Sequence, residues 1–221
     1  MKFNLTTQEL KHSENDIYTQ GGQDGVVNTI FSQIGEGGKF FVEFGARDGV
    51  EISNTANLRI NFGWDGLLMD IAPKASIVKE EKVTATNINQ LLEKYSVRDI
   101  DLLCIDIDGN DMWVWKSIKQ KPRVVLIEYN SKFKNNESFA IEYNEAHSWE
   151  SDDYYGASLR SMKKTGQEKG YTLVHVIKQL DAVFVRNDLL DENYIPPTLD
   201  ELLPSPIIAF YKISNKKWVE V

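Results

Sequence analysis

Residue types that form cross-links or carry histidine-based catalysis are scarce in this chain of 221 residues. A single cysteine, Cys104, excludes a disulfide within the chain, and its place in the apolar run 102–105 predicts a buried side chain rather than a reactive thiol. Only three histidines are present, so few positions are open to imidazole acid–base chemistry. The low cysteine content is typical of a reducing compartment, and we expect a cytoplasmic location.

The chain also lacks long hydrophobic runs and an excess of basic charge. No apolar stretch approaches the roughly 20 residues that span a bilayer, and residues 1–5 are followed by polar residues rather than a signal-peptide core. Asp and Glu number 33 against 25 Lys and Arg, which gives a formal net charge of −8. These features argue against nucleic-acid and membrane partners, because both require basic surface. The oligomeric state stays open, with a homodimer as one alternative.

Helix-like and strand-like segments alternate along most of the chain. Residues 1–23 are polar and predict a lead-in loop, and an α/β domain is expected over residues 24–190. Residues 131–157 are polar and aromatic and long for a plain connection, which is typical of a lid or a substrate-binding insertion. Residues 191–221 contain several prolines and are interpreted as an extension that packs on the same domain, with a last strand over 207–213.

The fold class follows from the order of the apolar runs. Runs of strand type occur at 40–44, 66–69, 83–85, 101–105 and 124–127. The continuous run 101–105 is typical of a buried parallel strand. Two later runs, 171–177 and 182–185, are joined by a short polar turn and predict an antiparallel pair. We therefore predict an α/β three-layer sandwich, with a mostly parallel twisted sheet, helices on both faces and a late antiparallel hairpin.

The most informative segment is 40–49, FFVEFGARDG, in which a strand carries Glu43 and then breaks into a glycine loop at 45–49. This arrangement presents a small ligand at the carboxyl end of a strand. Asp70 follows the next strand, 22 residues beyond Asp48, near the spacing at which a dinucleotide-binding fold places a carboxylate on ribose hydroxyls. The loop lacks the three-glycine fingerprint, and Asp48 would repel a pyrophosphate. An NAD-binding oxidoreductase is therefore the alternative and not the leading interpretation.

Acidic residues end four of the predicted strands. Glu43, Asp70, Asp106 and Glu128 are expected at one edge of the sheet, because the carboxyl ends of parallel strands meet there. Asp106, Glu128 and Asn130 also form an all-oxygen set that suits Mg²⁺ or another divalent metal.

An ordered set of motifs resembles the FkbM-like methyltransferases, a group within the class I S-adenosylmethionine-dependent methyltransferases. The matching segments are GQDG at 22–25, EFGARDG at 43–49, SNT at 53–55, GWDGLL at 63–68, DLLCIDIDGND at 101–111, IEYN at 127–130 and YGASL at 155–159. The resemblance implies a Rossmann-like fold, S-adenosylmethionine as cofactor, and O-methylation of a sugar or glycan hydroxyl as the leading reaction. A non-catalytic binding module of the same fold is a further alternative.

The resemblance also implies roles for individual residues of the cofactor site. They are Glu43, Gly45, Ala46, Asp48 and Gly49 around the methionine portion, Asp70 on the ribose hydroxyls, Thr86, Asn87 and Ile88 around the adenine, and Asp106 beneath the reacting centre. An acidic crevice suits this cofactor because its sulfonium is a cation.

The leading candidates for the base that takes the proton of a hydroxyl acceptor are Asp106 and Glu128, which offer carboxylates, and His147, which offers an imidazole. Asp108 is a further carboxylate candidate, and its alternative role is to form a turn with Gly109. His147 lies in the insertion beside Trp149 and Tyr155, and such a group can stack on a sugar face and bind its hydroxyls. An aromatic-anchored surface loop is the alternative interpretation of that insertion.

Overall fold

The computed structural model describes residues 2–206 and 212–221, and a seven-stranded sheet lies at its centre. The strands are β1 (Phe40–Phe44), β2 (Asp65–Asp70), β3 (Lys79–Glu80), β4 (Leu102–Ile105), β5 (Val124–Glu128), β6 (Phe139–Ile141), β7 (Tyr171–Val176), β8 (Asp181–Arg186) and β9 (Trp218–Glu220). The helices are α1 (Thr7–Ser13), α2 (Gln23–Ile34), α3 (Ala56–Phe62), α4 (Ile88–Lys94), α5 (Asp111–Ser117), α6 (Leu159–Lys169) and α7 (Leu199–Leu202). None of the helices within these described ranges combines the length and apolarity needed to cross a bilayer.

The strand order of the central sheet is β3-β2-β1-β4-β5-β8-β7, and β6 and β9 form a separate two-stranded sheet. Strands β1 to β5 pair in parallel, whereas β8 is antiparallel to both β5 and β7. The predicted fold class, with its mostly parallel sheet and late antiparallel hairpin, is confirmed. The order reverses between β1 and β4, and open α/β sheets bind ligands outside such a reversal.

Alternate residues of each strand enter two hydrophobic cores on opposite faces of the sheet. Val42 and Phe44 of β1 pack in the core that contains α4, α5 and α6. Phe41, between them, packs in the core that contains α1, α2 and α3. Because a strand alternates its side chains with a period of two, one short apolar run covers both cores. The three-layer arrangement follows from this alternation.

Two segments differ from the sequence prediction. The third strand is Lys79–Glu80 and not 83–85, where the Asn87 carboxamide binds the amide of Thr84 and the carbonyl of Lys82. Such local bonds from an asparagine side chain favour a turn over a strand. The lead-in contains α1, whose N-terminus is capped by a capping box between Thr6 and Glu9. Residues 1–23 are therefore not a simple loop.

The C-terminal residues reach back to the insertion. Strand β9 pairs antiparallel with β6, which lies within 131–157. The strand expected over 207–213 falls mostly on residues outside the described ranges.

At the opposite edge of the sheet, Asp101 joins three elements. Its carboxylate accepts the amides of Gly37 and Gly38 at 2.7 and 2.9 Å and lies 3.2 Å from Nε of Arg123. The Arg123 guanidinium also donates to the carbonyls of Ile34 and Gly35, at the end of α2. With Asp101 only 2% exposed, these bonds tie α2, β4 and β5 together away from solvent.

We expect Asp101→Ala to lower the free energy of unfolding by about 3 kcal/mol, because it leaves Arg123 and three amides, those of Gly37, Gly38 and Phe40, without their buried anion. Urea denaturation measures the loss. Asp99→Ala changes an exposed carboxylate at the same edge and is expected to cost less than about 0.5 kcal/mol. Equal effects of the two substitutions would contradict the role assigned to Asp101.

Candidate active site

A cavity of about 600 Å³ opens at the carboxyl edge of the sheet, beside the reversal between β1 and β4. The loops after β1, β2 and β4 line it, together with the end of β5, the turn before β8 and residues of the insertion. The structure therefore brings the acidic strand ends of the sequence prediction to a common edge, although not every predicted residue reaches the cavity.

Gly45 is the point at which the first loop turns beneath the cavity. Its φ of +77° lies in the left-handed region, and a β-carbon there would overlap the backbone oxygen of Asp106. The amides of Gly45 and Ala46 both donate to the carbonyl of Met69, at 3.0 and 3.1 Å. Glycine is therefore required where the ends of β1, β2 and β4 converge.

Glu43 lies behind this loop and does not line the cavity. Its buried carboxylate accepts bonds from the hydroxyls of Ser53 and Thr55 and from the amide of Asn54. Burial raises the pKa of Glu43, and these three bonds oppose the rise. The side chain thus holds the start of α3 against β1 and acts on the cavity through the shape of the loop.

The other loop residues of the predicted cofactor set are also structural. Ala46 is buried in the core beside α2, and Gly49 packs closely on Leu68. The Asp48 carboxylate accepts the amides of Val50 and Glu51, so it closes its own turn.

Asp70 does reach the cavity, at the end of β2. One carboxylate oxygen accepts the amide of Arg47 at 2.8 Å and the other accepts the amide of Ala72 at 2.7 Å. These bonds fix the carboxylate beside the Gly45 turn, the position that the resemblance assigns to a ribose partner.

The segment predicted to surround adenine is displaced. Ile88 is fully buried in the core and does not line the cavity. Asn87 bonds its own turn, as described above, and the Thr86 hydroxyl bonds Glu145. The cavity wall is instead formed by residues 81–83. The displacement has a simple cause, since β3 ends at Glu80, five residues earlier than predicted.

Three carboxylates stand in one row across the neighbouring strands β4, β5 and β8. Ile105, Ile127 and Ala182 are paired in register, and Glu128 is paired directly with Asp181. One position further toward the carboxyl edge of the sheet, the residues are Asp106 after β4, Glu128 in β5 and Asp181 in β8.

The alternation of the strands fixes the face to which this acidic row turns. Ile105 and Ile127 face the core of α4 to α6, so the row turns toward the start of α2. There Nε2 of Gln23 donates to Asp181 at 2.8 Å. Asp181 was not predicted, because it begins an antiparallel strand, whereas acidic residues were sought at the ends of parallel strands. The polar turn before that strand was the available signal.

Desolvation and mutual repulsion raise the pKa values of the acidic row. Burial raises the pKa of Asp181 to about 6. Desolvation by the surrounding protein, and then the neighbouring carboxylates, raise the pKa of Asp106 and of Glu128 above the ordinary range. Asp106 is nevertheless exposed at the cavity surface, so solvent screens part of this effect there, whereas Glu128 is only partly exposed. Neighbouring carboxylates repel one another when ionised, so a cation beside them would favour ionisation of the whole row. The row is therefore suited to hold or exchange protons near neutral pH, or to bind a cation.

A compact set of oxygen ligands lies beside this row. Carboxylate oxygens of Asp106, Asp108 and Glu128 all lie within 4.8 Å of one another. Oε2 of Glu128 is buried and has no hydrogen-bond partner among the described residues. Asn130, predicted as a third metal ligand, is not part of the set. Its side-chain amide donates to the carbonyls of Asp153 and Tyr155 and so anchors the insertion instead.

His147 lines the same cavity from the insertion. Its ring packs on Gly109, where any β-carbon would overlap the imidazole, and makes an edge contact with Tyr154 at 6.0 Å between ring centroids. Burial lowers the pKa of His147, so the ring is neutral at pH 7. Nε2 is buried and makes no well-aligned hydrogen bond in residues 2–206 and 212–221, although the Asp108 backbone is close enough to the ring to oppose part of the lowering of its pKa. The three predicted catalytic residues, Asp106, Glu128 and His147, thus line one cavity.

The fold is that of a Rossmann-like α/β protein with a cavity where the strand order reverses. A family model described as the methyltransferase FkbM domain matches residues 11–172, more than half of the chain, and the protein belongs to that family. No curated protein matches the chain. Family membership supports methyl transfer as the general activity.

Asp181→Asn is expected to gain stability relative to the wild type as pH rises. Between pH 3.8 and about 6 the carboxyl group is ionised in the unfolded chain and protonated in the folded one, so the wild type loses stability across this range. The loss amounts to about 3 kcal/mol at about 1.4 kcal/mol per pKa unit. Asparagine keeps the oxygen that accepts from Gln23 and does not titrate.

Urea denaturation at several pH values measures this difference. Asp99→Asn, which removes an exposed carboxylate, serves as the control and should not follow this trend. A stability difference between Asp181→Asn and wild type that does not change with pH would show that Asp181 is not protonated in the folded protein.

Proposed function

We propose that the protein is an S-adenosylmethionine-dependent methyltransferase that methylates a hydroxyl group of a sugar or glycan. The observation that carries the proposal is a single cavity with two chemically different sides. The Gly45 turn and Asp70 line one side, here called the cofactor side. The acidic row, His147 and aromatic residues of the insertion line the other, here called the acceptor side.

The residues of the cofactor side fit S-adenosylmethionine. A volume of about 600 Å³ is in the range of small-molecule and cofactor sites. The Gly45 turn brings its backbone to the cavity, and Asp70 presents carboxylate oxygens to a ribose diol. When bound, S-adenosylmethionine supplies a methyl group on a cationic sulfur. The acidic lining favours that charge, whereas it disfavours the pyrophosphate of NAD.

The acceptor side fits a polyhydroxylated ligand. Trp149 and Tyr155 offer aromatic surface, and Gln179 offers a carboxamide beside the carboxylates. Rings that stack on a sugar face and polar groups that bind its hydroxyls are suited to this class of ligand. The family match makes an NAD-binding oxidoreductase the weaker alternative. If the protein is instead a binding module without activity, we expect that no cofactor binds.

The proton of the acceptor hydroxyl can be taken by the acidic row. A general base works best when its pKa is near the working pH. Desolvation and repulsion raise the pKa values of Asp106 and Glu128 toward that range. Oε2 of Glu128 is the leading acceptor atom, since it is buried and lacks an internal partner within the described ranges. His147, neutral at pH 7, is the second candidate. The remaining task of the site is to align acceptor oxygen, methyl and sulfur.

A divalent cation is the alternative means of activating the hydroxyl. Asp106, Asp108 and Glu128 fit such an ion, because their oxygens are close together and one of them is buried and unpaired. Mg²⁺ bound there would polarise the acceptor oxygen and offset the repulsion within the acidic row.

Calorimetric titration with S-adenosylhomocysteine tests the cofactor side. We expect binding of the wild type in the micromolar range and no binding of NAD⁺. Asp70→Asn should weaken binding about tenfold or more, because one charged acceptor of the ribose hydroxyls is lost. Asp99→Asn makes the same change of charge at the opposite edge and should bind normally. Folded wild-type protein that fails to bind the thioether would refute the methyltransferase proposal.

Thermal denaturation with and without Mg²⁺ or Mn²⁺ tests the alternative. If the cation binds, millimolar metal raises Tm of the wild type by a few degrees. Asp108→Asn should then abolish the shift while Asp99→Asn retains it. Identical melting curves with metal and with chelator would leave the carboxylates alone to accept the proton.

A further inference from the structure

We infer that Trp218, in the C-terminal strand, is a positioning residue that holds Tyr154 and, through it, the His147 wall of the cavity. Trp218 lies outside the residues 11–172 that the family model matches. The term acceptor side rests on the function proposed above, but the packing does not.

The C-terminal strand is fastened to the insertion by regular pairing. In the β6–β9 ladder Ile141 is opposite Trp218 and Phe139 is opposite Glu220. The amide of Val221 extends the ladder by donating to the carbonyl of Ser138 at 3.1 Å. This pairing fixes where the Trp218 side chain projects.

Trp218 is the centre of an aromatic and cationic cluster. Its ring makes edge contacts with Phe133 and Tyr154, at 4.8 and 4.9 Å between centroids. The Lys132 ammonium lies 4.0 Å from the Trp218 ring centroid and 2.8 Å from the carboxylate of Asp153. Edge contacts between aromatic rings and a cation over a ring each stabilise a defined geometry.

Tyr154 connects this cluster to the cavity wall. It is 6% exposed, and its hydroxyl donates to the carbonyl of Lys217 and accepts the amide of Glu142, at 2.9 and 3.0 Å. Its ring contacts Trp218 on one side and His147 on another. His147 in turn rests on Gly109, in the loop after β4 that carries Asp108. The imidazole is therefore held between that loop and Tyr154.

Residues before β9 reinforce the same contact. The carbonyl of Lys212 accepts the amide of Asp153, and the amide of Ser214 donates to the Asp153 carboxylate, at 2.9 and 2.7 Å. The Lys216 ammonium lies 3.1 Å from Glu150. Residues 212–220 thus bind the insertion on the side that carries His147, whereas Gly45 and Asp70 belong to loops after β1 and β2.

The test uses the full chain without ligand, at one fixed neutral pH. With three histidines in the chain, the ¹H–¹³C spectrum of the imidazole rings has few signals. Trp218→Ala should move the His147 ring signal while His12 and His175 keep theirs. Amide exchange in residues 145–154 should accelerate at least tenfold, because the Asp153 and Tyr154 bonds are loosened. Affinity for S-adenosylhomocysteine should stay within about twofold.

Matched variants separate positioning from a general loss of structure. Lys217→Ala keeps the backbone oxygen that binds Tyr154 and should behave like the wild type. Trp218→Phe retains an aromatic ring and should restore most of the His147 signal. Tyr154→Phe keeps its ring but loses both hydroxyl bonds, and should raise exchange even if Trp218→Ala fails to fold.

The inference is overturned if folded Trp218→Ala, or folded Trp218→Leu where Trp218→Ala does not fold, leaves both the His147 signal and the exchange of residues 145–154 unchanged. Failure of the wild type to bind S-adenosylhomocysteine would refute the proposed function instead, and these two readouts would still decide the role of Trp218.

Discussion

The cavity depends on the cost of placing carboxylates at a buried edge of the sheet. The protein meets that cost at some positions and not at others. Glu43 accepts three hydrogen bonds from residues 53–55, and Asp111 accepts the amides of Ile107 and Gly109, so each stabilises a loop next to the sheet. Glu128 has an oxygen without such a partner. The fully bonded carboxylates, Glu43 and Asp111, stabilise the loops around the cavity. The unpaired oxygen of Glu128 can bind a ligand, a proton or a cation.

The same constraint explains how the sheet and the loops cooperate. Strand register brings Asp106 beside Glu128, and the close approach of Gly45 to the Asp106 backbone seals the floor between β1 and β4. Because these groups sit on strand ends, their separation is set by backbone hydrogen bonds and not by flexible side chains. A rigid frame of this kind suits a reaction in which three atoms must be aligned.

The sequence was sufficient for the parts that depend on buried apolar runs. The four long parallel strands and the hairpin follow from continuous hydrophobic segments, which have few alternative arrangements. Strand β3 has two exposed residues and no pattern, so its place could not be predicted, and the adenine segment was displaced with it. Asn130 could not be distinguished from a metal ligand, because its bonds to Asp153 and Tyr155 form only after the insertion has folded.

The two sides of the cavity differ in how they are built, and this difference bears on selectivity. The cofactor side is made of loops anchored directly to parallel strands. The acceptor side takes His147 from an insertion whose position depends on Tyr154 and Trp218, by aromatic contacts and a short two-stranded ladder. Single edge contacts contribute about 1 kcal/mol, far less than a core strand. On the role inferred for Trp218, we expect substitutions in the C-terminal strand to change the wall that carries His147 more than the Gly45 and Asp70 side.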